Sequence, residues 1–184
     1  MRKRVLILAA AVLLALVLAV PASASKRTPV SGSGMTDWLH FEDDAVAIGN
    51  RCFVEAWYTT AYTGGIEASC KHHSRQVAHG PCEGSFPGSY KETVHLESEC
   101  TTTGDGVGGK QGTFRLRSGN GEIVPADPPQ VWVMDLRHDC VILGGTGDLA
   151  NLHGSLRIEW HPRDPETFFL VPETYSGEIH FDPN

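Results

Sequence analysis

Polar and apolar positions alternate along most of this chain. Between Tyr90 and Cys100, Val94 and Leu96 fall on one side and Thr93, His95 and Glu97 on the other. Thr113–Ser118 repeats the pattern with Phe114 and Leu116, and Leu156, Ile158 and Trp160 share one side of a further run. A period of two marks a strand with one buried face. Phe53–Tyr62 is rich in aromatic residues and Thr, which suit strands better than helices. Thr63-Gly64-Gly65 then turns the chain, and Ile66–His73 runs back. Gly80–Gly88 reads as a loop and Gly104–Gly109 as a glycine-rich tip. A Pro-containing loop precedes strands at Val131–Leu136 and Cys140–Leu143, and Phe168–Val171 and Thr174–Phe181 end the chain. Past the N-terminal segment, no stretch offers ten residues of clean helical period free of Gly and Pro. The pattern predicts one antiparallel all-β domain of about eight strands. Closure into a barrel would remove the exposed edges, and a sandwich is the alternative.

The first 24 residues follow different rules. Met1-Arg2-Lys3-Arg4 is basic, Val5–Val20 is uninterrupted apolar sequence, and Pro21-Ala22-Ser23-Ala24 ends in an A-x-A site. That order is the pattern of a secretory signal peptide cleaved after Ala24. The apolar run is short of the roughly 20 residues a spanning helix needs, and no later segment is apolar enough to span. The expected division is a signal peptide at 1–24, a Ser/Gly/Thr-rich flexible lead-in at 25–36, and a barrel domain at 37–184, in a secreted protein with no membrane span after cleavage.

Charge narrows the partners. Removing Arg2, Lys3 and Arg4 leaves 12 Lys+Arg against 22 Asp+Glu, a net charge of −10. Such a surface repels phosphate backbones, so nucleic acid is not an expected partner. Five cysteines remain: Cys52, Cys70, Cys82, Cys100 and Cys140. In an exported chain these favour disulfides over free thiols. Two bridges and one leftover thiol are expected, and spacing does not fix the pairing. Cys70 and Cys82, close in sequence across Gly80-Pro81, are the favoured pair.

Gly145-Thr-Gly147-Asp-Leu-Ala150 matches the dinucleotide fingerprint G-x-G-x-x-A. That fingerprint needs a crossover helix after it. Gly154 and the strand-like Ser155–Trp160 leave no room for one. The run Gly144-Gly-Thr-Gly-Asp-Leu-Ala-Asn-Leu-His-Gly154 instead resembles the late glycine-rich hairpin of allene-oxide-cyclase-like barrels, the group that includes plant dirigent proteins. An uncharacterised family of small bacterial barrels is the closer likeness. It shares a Tyr-Thr-Gly first hairpin (Tyr62–Ser69), a Gly-x-x-Gly-x-Phe strand start (Gly109–Phe114), and a closing strand with Tyr175, Ile179 and Phe181. The resemblance implies an eight-stranded antiparallel barrel with a central cavity and no assigned activity. Gly144, Gly145, Gly147 and Gly154 are expected to serve tight turns and close backbone approach at a barrel end.

The remaining candidates for chemistry are few. Cys70, His72, His73, His79 and Cys82 have types and spacings that could hold Zn²⁺ or Cu²⁺. A Cys70–Cys82 bridge flanked by solvated histidines is the competing reading, and export favours it. Inside a barrel, Glu92 is in phase with Val94 and Leu96, and His72 with Ile66 and Ala68, so they are the candidate acid and base. No G-x-S-x-G, H-E-x-x-H or paired C-x-x-C occurs. No cofactor is implied. Three function classes follow: a non-enzymatic barrel that binds a small apolar or amphipathic molecule, a cofactor-free isomerase or cyclase acting in the cavity, and an extracellular or envelope-associated interaction protein with a filled core.

Overall fold

The structure, a computed structural model, describes residues 25–49, 51–79, 90–130, 133–161 and 170–183, toward one end of the barrel as backbone alone. Eight strands pair with their sequence neighbours in antiparallel fashion, and the last pairs with the first. They are β1 (Thr28–Ile48), β2 (Arg51–Gly64), β3 (Ile66–His79), β4 (Tyr90–Val107), β5 (Thr113–Gln130), β6 (Val133–Gly145), β7 (Leu152–Trp160) and β8 (Leu170–Phe181). The sheet is therefore a closed barrel with no free edge.

Alternation puts one face of each strand inside. Val30 and Thr36 of β1, Ala56, Tyr58, Thr60 and Tyr62 of β2, and Ile66, Ala68, Cys70, His72 and Ser74 of β3 are all buried. Leu96, Ser98 and Cys100 of β4, Phe114, Leu116 and Ser118 of β5, and His138, Cys140 and Ile142 of β6 continue the wall. Leu152, Leu156, Ile158 and Trp160 of β7 and Val171, Glu173, Tyr175 and Ile179 of β8 complete it.

Several expectations need correction. Residues 28–36 are not a loose lead-in: they open β1, paired from Thr28↔Ile179 to Thr36↔Val171. That pairing closes the barrel, so these small residues are needed as a strand. The Pro-containing loop is also strand: Pro125 pairs with Met134 and Gln130 with Val133, across a register shift that absorbs the prolines. The two short runs at 131–136 and 140–143 join as β6, and Thr174–Phe181 continues back to Leu170 as β8. Residues 1–24 and the loop Gly80–Gly88 lie outside the described residues.

The two ends of the barrel differ. At one end the turns are glycine-rich: Gly64-Gly65, Gly108-Gly109 and Gly144–Gly147. Tyr175 ties this end together. Its hydroxyl accepts from the Ile66 amide at 2.6 Å and lies 3.2 Å from the Thr63 carbonyl oxygen. Gly32 makes room for it, since a Cβ there would lie 2.5 Å from that oxygen. Gly144 and Gly147 take left-handed backbone (φ 103° and 61°). Gly145 and Gly154 pass so close to neighbouring strands that a Cβ would meet the Thr113 and Glu178 carbonyl oxygens. Gly147–Leu149 forms one 3₁₀ turn between two antiparallel strands, so the fingerprint-like glycines serve a hairpin and no crossover helix follows.

Candidate functional site

The interior changes character along the barrel axis. Next to the glycine turns it is apolar: Ile66, Val107, Phe114, Leu149 and Leu152 are no more than 2 % exposed. The void among Tyr62, Ile66, Phe114, Leu156 and Tyr175 measures only about 10 Å³. That is about the space of one water, so the central cavity expected from the resemblance is absent in this half. Moving away from the glycine turns, the inward positions become polar. Thr60, His72, Ser98, Thr36, Glu173, Ser74, Ser118 and His138 are all buried there.

Glu173 organises one side of this layer. Tyr62 Oη donates to its Oε2 at 2.7 Å, and Thr60 Oγ1 to its Oε1 at 3.1 Å. Thr36 Oγ1 also bonds Oε1 and sits 2.6 Å from Thr60 Oγ1. Burial raises the Glu173 pKa to about 8, although the hydrogen bonds from Tyr62 and Thr60 pull the other way. The carboxyl therefore holds its proton at neutral pH. Burial, reinforced by Glu173 itself, raises the Tyr62 and Tyr58 phenols well above their ordinary values.

The histidines form the other side. His72 Nδ1 shares a 2.6 Å hydrogen bond with Ser98 Oγ. Its ring stacks on Tyr58 at 4.6 Å, and Tyr58 in turn meets Trp160 edge-on at 4.7 Å. His138 packs against Trp160 at 5.4 Å. Burial lowers the His72 pKa to about 3, with a smaller push from His138, and burial lowers His138 to about 4. Both rings are neutral at physiological pH. His72 Nε2 and both nitrogens of His138 have no hydrogen-bond partner among the described residues.

Cys140 is a buried free thiol beside this layer, raised to about 12 first by burial and then by Asp139 and Glu173, with Ser118 opposing. A thiol so raised is not a nucleophile. Cys70 is not paired with Cys82. It is bonded to Cys100, its register partner on β4, at 2.02 Å. The expectation failed because β3 runs on to His79. Cys70 is thereby an inward strand residue facing β4, not the foot of a loop; Cys82 lies outside the described residues.

His72 stands on the interior face, in phase with Ile66 and Ala68. The backbone of Glu92 lies in β4 opposite Gly121, and its side chain is not described, so the pair His72–Glu92 is not seen together. The metal set His72, His73 and His79 is divided. Adjacent strand residues point to opposite faces, so His73 lies outside, stacked on Trp57 at 4.5 Å and bonded to Glu55 at 2.5 Å. The side chain of His79 is not described. No group of three His, Cys, Asp or Glu among the described residues is close enough to hold a metal ion.

A solved structure shares the barrel. It is a protein of unknown function from the DUF3224 family of Shewanella oneidensis MR-1, 17% identical, with a TM-score of 0.57. The match covers 86% of this chain and 100% of the other. At that identity the likeness shows the small-barrel fold alone. No family model matches the sequence, and no curated protein does.

Glu173 and His138 were not singled out from the sequence. Both carried a signal: Glu173 alternates in phase with Val171 and Tyr175, and His138 with Cys140 and Ile142.

Proposed function

We propose that the chain is exported and that its barrel takes a small amphipathic molecule, seated with a hydrogen-bonding head against the polar layer of Glu173, His72 and His138. The basic, apolar and A-x-A order of residues 1–24 supports export, as does the Cys70–Cys100 disulfide, a bond typical of oxidising compartments. No described helix is long and apolar enough to cross a membrane. The glycine hairpin Gly144–Gly154 supports assignment to the allene-oxide-cyclase-like type of barrel.

One observation carries the binding reading: three imidazole nitrogens are buried without a partner among the described residues. Each buried polar group left unsatisfied costs about 1–3 kcal/mol, and folded proteins keep few of them. A molecule that meets them offsets that cost. Since both rings are neutral, His138 offers one donor and one acceptor, while His72, whose Nδ1 is taken by Ser98, offers Nε2 alone. The matching head is uncharged: a hydroxyl, a carbonyl, an amide or a protonated acid. Tyr58 and Trp160 supply flat apolar surface beside it.

A second reading, a cofactor-free isomerase or cyclase, is favoured by Glu173. A carboxyl that keeps its proton at neutral pH is suited to general-acid work, and the Tyr62 hydroxyl, donating to Oε2, would hold it in place.

Native mass spectrometry of protein purified from culture medium tests the first reading, alongside a His72→Leu/His138→Leu double variant. The wild type is expected to retain a small-molecule mass that the variant loses, while the variant melts no lower. A wild type without any retained mass, or a variant that melts several degrees lower, overturns it.

A further inference from the structure

We infer that the outer wall of the barrel carries a second, independent binding site, a groove across β2–β6 whose chemistry fits an uncharged carbohydrate chain. The groove is open to solvent and measures about 440 Å³; Trp57, Lys71, His73, Glu97, Glu99, Arg115, Arg117 and Leu143 line it from the outer face, and the inward-facing His72, Ser98 and Leu116 border its floor between them. That volume lies within the ordinary range for small-molecule sites.

Its aromatic end is held in place. Trp57 is half-buried and stacks on its register partner His73 with an interplanar angle of 11°. Glu55 fixes His73 at 2.5 Å and also accepts from Arg75 at 3.1 Å. Those two hydrogen bonds, from His73 first, hold the Glu55 carboxyl below its ordinary range. The indole is thus anchored on sheet rather than on a loop, and little side-chain entropy remains to be lost on binding.

The charges beside it alternate. Lys71 faces Glu99, and Glu99 faces Arg115; His73 faces Glu97, and Glu97 faces Arg117. Cross-strand neighbours of opposite sign ordinarily pair. Among the described residues, however, Lys71, Glu97, Glu99, Arg115 and Arg117 form no ion pair. Their donors and acceptors therefore stay open to a ligand. An anion would meet repulsion from Glu97 and Glu99, and a cation from Lys71, Arg115 and Arg117. A polyhydroxy ligand would not, because each hydroxyl both donates and accepts. It can give to Glu97 and Glu99 and take from Lys71, Arg115 and Arg117. The C–H face of a sugar ring suits the indole, and exposed Leu143 supplies a second apolar contact.

Isothermal titration calorimetry with maltohexaose, cellohexaose and N-acetylchitohexaose tests this. At least one is expected to give a saturable change that added salt does not alter, because the ligand carries no charge. Trp57→Ala should weaken binding roughly tenfold or more, and Trp57→Phe by less. Since Trp57 lies on the outer wall, both variants should melt like the wild type. His138→Leu, a change in the lumen at a residue that does not line the groove, should bind the sugar unchanged, which separates this site from the lumen. Failure of all three sugars to bind overturns the inference, as does binding that survives Trp57→Ala. Tighter, salt-sensitive binding of heparin hexasaccharide would overturn the uncharged class and assign the groove to anions.

Discussion

The two halves of the barrel interior obey the same alternation and reach the same burial, yet one is filled by apolar side chains while the other sets polar groups among Leu96, Trp160 and Val171. Beside the glycine turns, Ile66, Phe114 and Leu156 close the lumen down to a void of about 10 Å³. Toward the other end, Glu173, His72 and His138 are equally buried. One half is a plug that holds the fold. The other accepts desolvated polar groups that cost stability, the cost that the proposed ligand would offset.

The contrast can be broken at its strongest point first. Phe114→Ala should cost about 3–5 kcal/mol, since the plug has no free space into which neighbours could collapse. Thermal unfolding measures it, and a loss below 1 kcal/mol would mean that the plug is loosely packed. Replacing Cys70 and Cys100 together by Ala should cost somewhat less, about 3–4 kcal/mol by the loop-entropy model for a separation of 30 residues. A melt unaffected by the double change would mean that the bond adds nothing to the stability of the barrel. Gly147→Val forces a β-branched residue to φ 61°, with its Cβ 3.1 Å from the Gln111 carbonyl oxygen. The expected loss is about 1–3 kcal/mol, without any response of either protein to NAD. Stabilisation of the wild type by NAD would revive the dinucleotide reading.

The subtlest difference lies in pH. Glu173 has a folded pKa of about 8 against 4.5 in the open chain, so the folded state holds an extra proton between those values. Stability from this group falls as pH rises through that window. His72 and His138 are lowered to about 3 and about 4 from 6.5, so the unfolded state holds the extra protons there. Their contribution rises with pH up to 6.5. Two imidazoles outweigh one carboxyl below 6.5, and the carboxyl acts alone above it. The three groups together predict a stability maximum near pH 6.5. Melting temperatures across the range check this. Glu173→Gln should abolish the alkaline decline, and the His72→Leu/His138→Leu variant should flatten the acid limb.

The sequence made the wall of the barrel legible and its contents less so. Alternation through Leu156, Ile158 and Trp160 shows which side faces in, because a one-residue slip would bury Arg157 and Glu159. It also placed His72 beside Ile66 and Ala68. The same rule applied to β8 puts Glu173 inside between Val171 and Tyr175. An inward carboxylate reads as an exposed one until the partners that satisfy it are known, and Thr36 and Tyr62 lie more than a hundred residues away. The β1 strand was illegible for a different reason. Its glycines look like linker, but Gly32 is small because Tyr175 occupies the space beside it. The disulfide was misassigned because register, not distance along the chain, brings Cys70 to Cys100.

That bond sets a timetable. Cys70 and Cys100 are both fully enclosed at 0 % exposure, so an oxidant reaches their sulfurs only while the barrel stands open. Oxidation therefore has to come before the barrel closes. Alkylating free thiols at intervals during refolding should find Cys70 and Cys100 protected earlier than any amide of the β1–β8 seam. Once sealed, the staple lies beyond the reach of reductants in the surroundings, and the register of β3 against β4 is fixed for the life of the molecule.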